Sequence, residues 1–204
     1  SITASANNIW VDFHWSGSRS SITILDDGKG MTESVLVEAM RPGTVSPTAT
    51  RDGNDLGRFG LGLKTASFSQ CRQVTVWSKS GEGGAVGRRW DLDYVVRHNE
   101  WRLQHHLDEP SDKRYSDLCR LERGTLVMWN HMDRLVDDGE AVADDAHQKF
   151  LAQINDVRQY LSMIFHRHLT GRAAHRRAAL NIHVNNTRLT VWDPFHVSDN
   201  VPAE

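Results

Sequence analysis

Two glycine clusters hold the residue types that chemistry would need. Leu25-Asp26-Asp27-Gly28-Lys29-Gly30-Met31 closes a hydrophobic strand with a carboxylate and a tight turn. Gly57-Arg58-Phe59-Gly60-Leu61-Gly62-Leu63-Lys64-Thr65 is a glycine-rich loop that runs into a helix. Asp26, at a strand end, can accept a hydrogen bond from an exocyclic amine. Gly28 and Gly30 let the backbone pass closely beside a planar ring with no Cβ in the way. Met31 offers that ring an adaptable, polarizable thioether. In the second cluster the glycines Gly57, Gly60 and Gly62 free backbone N–H groups to converge on phosphate oxygens, and the helix N-terminus adds a favourable dipole. Lys64 and Thr65 bring a cation and a hydroxyl to the same anion from the first helical turn. An acceptor for a base followed by a loop for phosphates reads as a nucleotide site. Each cluster alone also has a plainer reading. The first fits an Asp-Gly turn, with a calcium-like role for its carboxylates; the second fits a flexible loop with a helix cap.

Two familiar phosphate loops do not fit. The dinucleotide fingerprint has its glycines in the opposite order and follows a strand directly, whereas a long polar segment precedes Gly57. The P-loop requires Lys directly after its last glycine, and here Leu63 intervenes between Gly62 and Lys64. One extra residue turns a helical side chain by about 100°, so Lys64 and Thr65 do not stand where a P-loop needs them.

The elements that must position these residues follow from pattern. Ile9 to Trp15 alternates and is rich in aromatic and β-branched residues, so it predicts a strand, and Ser16-Gly17-Ser18 a turn. Ser21 to Leu25 is a second strand leading into Asp26. Thr32 is placed to cap a helix over Glu33 to Met40, with Glu33 favourable in the first turn. Arg41 to Asp55 is rich in Pro, Gly, Thr and Asp and reads as a long loop, of the kind that serves as a lid or stays disordered. A helix is expected over Leu61 to Gln70, and a strand over Val74 to Trp77. Gly81-Glu82-Gly83-Gly84 predicts a turn with a hairpin partner in Val86 to Tyr94. Trp101 to Leu107 and Thr125 to Trp129 read as further strands. So many strands after the second cluster suggest an antiparallel or mixed sheet rather than repeated βαβ units.

Asp137 to Asp145 is acidic and alanine-rich and reads as a boundary. Beyond it Phe150, Ile154, Val157, Leu161, Ile164 and Phe165 recur at three and four residues, the mark of an amphipathic helix that Gly171-Arg172 ends. Leu180 to Val184 and Arg188 to Trp192 flank Asn185-Asn186-Thr187, a hairpin signal. A helix and one hairpin cannot readily bury both faces alone, so residues 137–204 read as the beginning of a second unit.

Composition sets outer bounds. The 204 residues are 39% hydrophobic and 25% charged, an ordinary globular balance. No apolar run approaches the roughly 20 residues of a membrane-spanning helix, and Ser1 to Ser5 does not read as a signal peptide. The formal charge of −2 argues against a basic nucleic-acid footprint over the whole chain, though not against a local patch such as Arg172 to Arg177. Cys71 and Cys119 have neither metal-ligand spacing nor a disulfide framework, which fits a reducing cytoplasm.

The two clusters together carry a family resemblance. Asp26-x-Gly28-x-Gly30 followed by Gly57-x-x-Gly60-x-Gly62 resembles the second and third motifs of the GHKL ATPases, the group of gyrase, the ninety-kilodalton heat-shock chaperone, MutL, sensor histidine kinases and the MORC proteins. Gly124-Thr125 resembles the fourth motif. The likeness extends from about Ser1 to Trp192, and Asp-Gly-Lys-Gly-Met with Gly-Arg-Phe-Gly-Leu-Gly-Leu-Lys-Thr-Ala is most similar to MORC-type members. It implies an α/β two-layer sandwich, the Bergerat fold, over residues 1–136, with a transducer-type domain beginning at 137–204. It implies ATP and Mg2+ as ligands. Asp26 would bind the adenine amine, directly and through water, with Gly28, Gly30 and Met31 lining the base pocket. Gly57 to Thr65 would wrap the phosphates, Arg41 to Leu56 would form the ATP lid, and Thr125 would support the adenine hydrogen bonds. Hydrolysis would reset a conformational clamp, with an ATP-dependent homodimer of the full-length protein. DNA is a partner by family analogy alone, and no membrane is implied.

One departure concerns the first motif of the family, a helix with a catalytic Glu and a magnesium-binding Asn. Ser1-Ile2-Thr3-Ala4 stands in the register just after that Asn, so the base and the metal ligand are expected before residue 1, and no catalytic residue is assigned within the chain. Asn7 and Asn8 fall too late in register and are expected to begin the next strand. Two other readings stay open. A histidine-kinase catalytic domain would use the same pocket, against which stand Gly124-Thr125 and the residues after it. A non-catalytic nucleotide-sensing module would use the pocket without turnover.

Overall fold

The structure is a computed structural model that describes residues 1–41, 66–81, 83–132, 143–173 and 178–194. Within these the chain forms β1 (Asn8–His14), β2 (Ser21–Asp26), α1 (Glu33–Met40), β3 (Gln73–Ser80), β4 (Val86–Asp91), α2 (Leu92–His98), α3 (Lys113–Arg120), β5 (Arg123–Asn130), α4 (Ala143–Ile164), α5 (His166–Leu169), β6 (Asn181–Val184) and β7 (Thr187–Arg188). The seven strands form one sheet in the order β4-β3-β5-β2-β1-β6-β7. All neighbours are antiparallel except β1 and β6. The mixed sheet expected from the strand count is therefore present, and the fold is an α/β two-layer arrangement.

Strand alternation decides what each face does. Ile9, Val11, Ile22, Val74 and Val76 point to one face and bury against Leu36 and Met40 of α1 and Phe150 and Ile154 of α4. Leu25, Trp77, Leu126 and Met128 point to the other, where α3 covers them with Tyr115 and Leu118. The helix and hairpin read from sequence as a second unit lie on the same sheet. β6 pairs in parallel with β1, and Leu180, Ile182 and Val184 share a core with Ile9 and Val11. The apolar stripe that the helix and hairpin could not bury alone is buried here.

Local chemistry accounts for most boundaries. Thr32 is the N-cap of α1 in extended conformation, its Oγ1 accepting from the Val35 N–H at 3.5 Å. Trp90 Nε1 donates to the Met40 carbonyl at 2.8 Å and fastens the other end of α1 to β4. Asn185 and Asn186 both take the left-handed conformation, with φ of 46° and 62°. The β6–β7 turn is thus a two-residue loop, which favours Asn, and Thr187 belongs to the strand rather than to the turn.

Several expectations change, among them the strand expected over Arg188 to Trp192, which ends at Arg188. β4 stops at Asp91, not Tyr94, because the Asp91 carboxylate accepts from the Tyr94 N–H at 3.0 Å and caps α2. Trp101 to Leu107 is not a strand: only Gln104 exchanges backbone hydrogen bonds, with Arg89 of β4. Its aromatic and apolar composition resembles a strand, but it lies outside a β-ladder. Helix α3 was not expected. Its signals are short: Asp112 as N-cap and the spacing of Tyr115 and Leu118.

α3 is tied down by a buried ion pair. Arg114 donates to Asp12 of β1 from Nε and, at 3.1 Å, from Nη2, which also reaches Asn186 Oδ1 in the hairpin at 2.9 Å. Arg114 Nη1 reaches Asp117 at 3.2 Å. Burial pushes the Arg114 guanidinium down, and the hydrogen bond and charge of Asp12 more than reverse this, so it stays above its ordinary value. Burial also pushes the Tyr115 phenol up.

Candidate functional site

Asp26 ends β2 on the face that α1 covers. In the register of β2 with β5 it lies opposite Thr125, and in that of β5 with β3 Thr125 lies opposite Ser78. Three polar side chains from three strands therefore stand in one row. The loop after Asp26 closes against that row. Almost every backbone N–H in it has a partner: Asp27 donates to Asn8 O at 3.3 Å, Gly28 to Asp26 Oδ1 at 2.9 Å, Lys29 to Ala4 O at 2.9 Å, and Met31 to Ser78 Oγ at 2.8 Å. A loop with its donors satisfied holds its carboxylate still.

Proton accounting at Ser78 is complete. Its fully buried hydroxyl donates to Gly124 O at 3.0 Å and accepts from Met31. Its remaining contact, with Thr125 Oγ1 at 3.0 Å, must then receive the Thr125 proton. Thr125 is left with free lone pairs and is half-buried. Asp26 accepts through Oδ1 from Gly28 and through Oδ2 from the Ser1 hydroxyl at 2.7 Å, and the Ser1 ammonium stands 3.6 Å from the same Oδ2. A carboxylate has about four lone-pair sites, so Oδ1 keeps one. The row thus offers acceptors at a nearly buried position.

The glycines of the first cluster make room for the chain itself. A Cβ on Gly30, whose φ is +66°, would stand 1.8 Å from the Lys79 carbonyl oxygen of β3. A Cβ on Gly28 would stand 2.8 Å from Ala4 Cβ and 2.8 Å from Asp26 Oδ1. At Gly124 it would stand 2.4 Å from the Asp26 carbonyl oxygen, which is why this glycine precedes Thr125 in β5. Met31 is half-buried against the apolar core.

Nearby carboxylates are engaged. Asp27 Oδ1 accepts the backbone N–H groups of Asn7 and Asn8 at 2.7 and 2.8 Å, and Oδ2 accepts Asn8 Nδ2 at 2.6 Å. It organises the start of β1. Glu33 pairs with Arg88 of β4. Neither stands free as a base.

The family described as Histidine kinase-, DNA gyrase B-, and HSP90-like ATPase matches residues 1–125, more than half of the chain. The chain belongs to that family. No curated protein matches it. As a GHKL-type ATPase domain it is of the ATP-binding kind, and the row of Asp26, Thr125 and Ser78 lies within or at the edge of the matched region.

Of the site residues expected from sequence, the structure brings Asp26, Gly28, Gly30, Met31 and Thr125 together. Gly57, Arg58, Phe59, Gly60, Leu61, Gly62, Leu63, Lys64 and Thr65 lie outside the described residues, as does the expected lid beyond Arg41. Ser78 was not singled out in the sequence. Its only local signal is a hydroxyl among Val, Thr and Trp in a strand, and its role depends on which strand lies beside β3.

Magnesium-nucleotide sites usually bind the metal through one or two carboxylates plus substrate phosphates. Among the described residues no three His, Cys, Asp or Glu side chains gather as a metal cage, and Asp27 accepts two hydrogen bonds at Oδ1 and one at Oδ2. The described residues supply no all-protein magnesium cage. Cys71 is buried and Cys119 exposed, and they form no disulfide. Among the described residues no helix is long and apolar enough to cross a membrane.

Proposed function

We propose that this chain is the ATP-binding part of a MORC-like GHKL ATPase, with the adenine amine on Asp26 and Thr125 supporting the base. One observation carries the reading: Asp26 and Thr125 face each other across β2 and β5, both with acceptor capacity left, at the mouth of a loop whose own hydrogen bonds are satisfied. The adenine amine donates to the free lone pair of the Asp26 carboxylate. Thr125 accepts from water or from the base edge beside it. The triphosphate falls to Gly57 to Thr65, and lid closure, a conformational clamp and an ATP-dependent homodimer belong to the same reading for the full-length protein.

The test replaces the amine. Inosine triphosphate carries a carbonyl oxygen where ATP carries the amine, so it turns a donor toward Asp26 into a second acceptor. Loss of a hydrogen bond to a charged group costs about 1.5–3 kcal/mol, so calorimetry should find ATP bound roughly tenfold to a hundredfold tighter. Equal affinities, or no binding of ATP, overturn the reading.

A further inference from the structure

A second site lies at the other end of the sheet, three strands beyond β2. A groove of about 510 Å³ runs between the C-terminal half of α4 and the edge formed by β7 and the residues after it. Arg158, Gln159 and Ser162 line it from α4, and Arg188, Thr190 and Trp192 from the other side. Among the described residues no carboxylate lines it. Among the described residues none of these six side chains has a hydrogen bond or an ion pair; Gln159, Arg188, Thr190 and Trp192 are exposed and Arg158 is half-buried. Ser162 is itself buried, at 8% exposure, and Trp192 is 50% exposed.

The chemistry of this lining is one-sided. Two guanidinium groups can donate and never accept. An anion between them would meet two charged donors at once, and the described lining supplies no carboxylate in its place. Arginine suits phosphate in particular, because its planar fork matches two phosphate oxygens at once. Gln159, Ser162 and Thr190 add neutral donors beside them. Trp192 adds an exposed aromatic face, which prefers an offset-stacked planar ring. The volume falls within the range of about 300–1,000 Å³ usual for small-ligand sites.

We propose that this groove binds a nucleotide phosphate, Arg158 and Arg188 holding the phosphate while the base stacks on Trp192. This site is separate from the Asp26 row, since β1 and β6 intervene in the sheet. The same phosphate-plus-base chemistry reaches it from a free nucleotide or from one unit of a single strand.

Uridine monophosphate and an eight-residue oligouridylate are the probes. Neither carries the exocyclic amine that Asp26 would read, so this test and that of the ATP site fail independently. Binding is measured by calorimetry on the full chain, on R158A/R188A, and on R19A/R97A, which removes equal charge elsewhere. Neither groove arginine holds the fold together, and matching thermal melts check this. The expected result is binding to the wild type and to R19A/R97A, and at least tenfold weaker binding to R158A/R188A. Binding of the monophosphate supports the site with a free nucleotide as its source, and binding of the oligomer alone supports it with a strand. No binding of either probe to the wild type overturns the proposal. So does affinity that survives in R158A/R188A or falls equally in R19A/R97A.

Discussion

Thr125 lies directly across the sheet from Asp26, one on β5 and the other on β2. Among the described elements α1, β3, β4, α2 and α3 separate the pair in sequence. Its register is set by the hydrophobic alternation of β2 and β5, since a slip of one residue would turn Leu25 and Leu126 out of the core. The apolar packing of the sheet therefore aims the polar pair.

The Asp26→Asn variant removes the charge and keeps the shape. Asn can still accept one hydrogen bond but turns a donor group toward the amine in one of its two orientations. ATP affinity should fall roughly tenfold to a hundredfold, in line with about 1.5–3 kcal/mol for a charged acceptor. Preference for ATP over inosine triphosphate should disappear with it. Calorimetry with both nucleotides reads the two effects, and retained preference would remove Asp26 from base recognition.

Ser78→Ala tests the residue that the structure adds. The change leaves the Met31 N–H without its acceptor and the Thr125 hydroxyl without its partner, both part-buried beside the fully buried Ser78. Each buried group left unsatisfied costs about 1–3 kcal/mol. Urea denaturation should show that loss, and hydrogen exchange at the Met31 amide should accelerate well beyond the global change. Exchange at Met31 that tracks global stability alone would mean that Ser78 does not hold the loop.

How much of this was legible in sequence depends on range. Thr32 capping Glu33 to Met40, the strand before Asp26 and the helical spacing of Phe150 and Ile154 are local patterns, and the structure has them all. The Asn185-Asn186 turn is equally local. Partnerships are not. Nothing near Ser78 says that β5 lies beside β3, and nothing near Ile182 says that it lies beside Ile9. The mistaken strand at Trp101 to Leu107 has the composition of a strand but only the Gln104 bridge to Arg89. Helix α3 was missed because its apolar content is two buried residues, Tyr115 and Leu118, in a charged stretch. Gly28 and Gly30 were read as clearance for a ligand, whereas the clearance visible here is for Ala4 and Lys79.

Glycine placement gives a contrast within one protein. Gly30 and Gly17 both have positive φ, at +66° and +57°. A Cβ at Gly17 meets nothing within 4 Å, whereas at Gly30 it would stand 1.8 Å from the Lys79 carbonyl oxygen. Gly17→Ala should cost only the left-handed strain, about 1–2 kcal/mol, and leave ATP binding intact. Gly30→Ala must push the loop off β3, so the Met31–Ser78 bond breaks and ATP binding is lost even where the fold survives. Thermal melts with ATP titrations on both variants separate the cases. Equal, small effects would show that the loop does not need its seat on Lys79.

The Asp12–Arg114 pair permits a double-mutant cycle with an asymmetric outcome. Both side chains are buried, at 9% and 8% exposure. Removing one partner of such a pair leaves a charge in low dielectric and costs about 3–5 kcal/mol, while replacing both with apolar groups is often close to neutral. The partners are not equivalent. Arg114 also reaches Asp117 and Asn186, so it keeps acceptors when Asp12 is lost. The hydrogen bonds to Asp12 given above come from Arg114 alone. Arg114→Met should therefore destabilise more than Asp12→Leu, and the D12L/R114M protein should recover most of the loss of either single change. Urea midpoints for the four proteins measure this directly. Losses that simply add would mean that the pair is not coupled, and that α3 is held to β1 by Tyr115 and Leu118 rather than by charge.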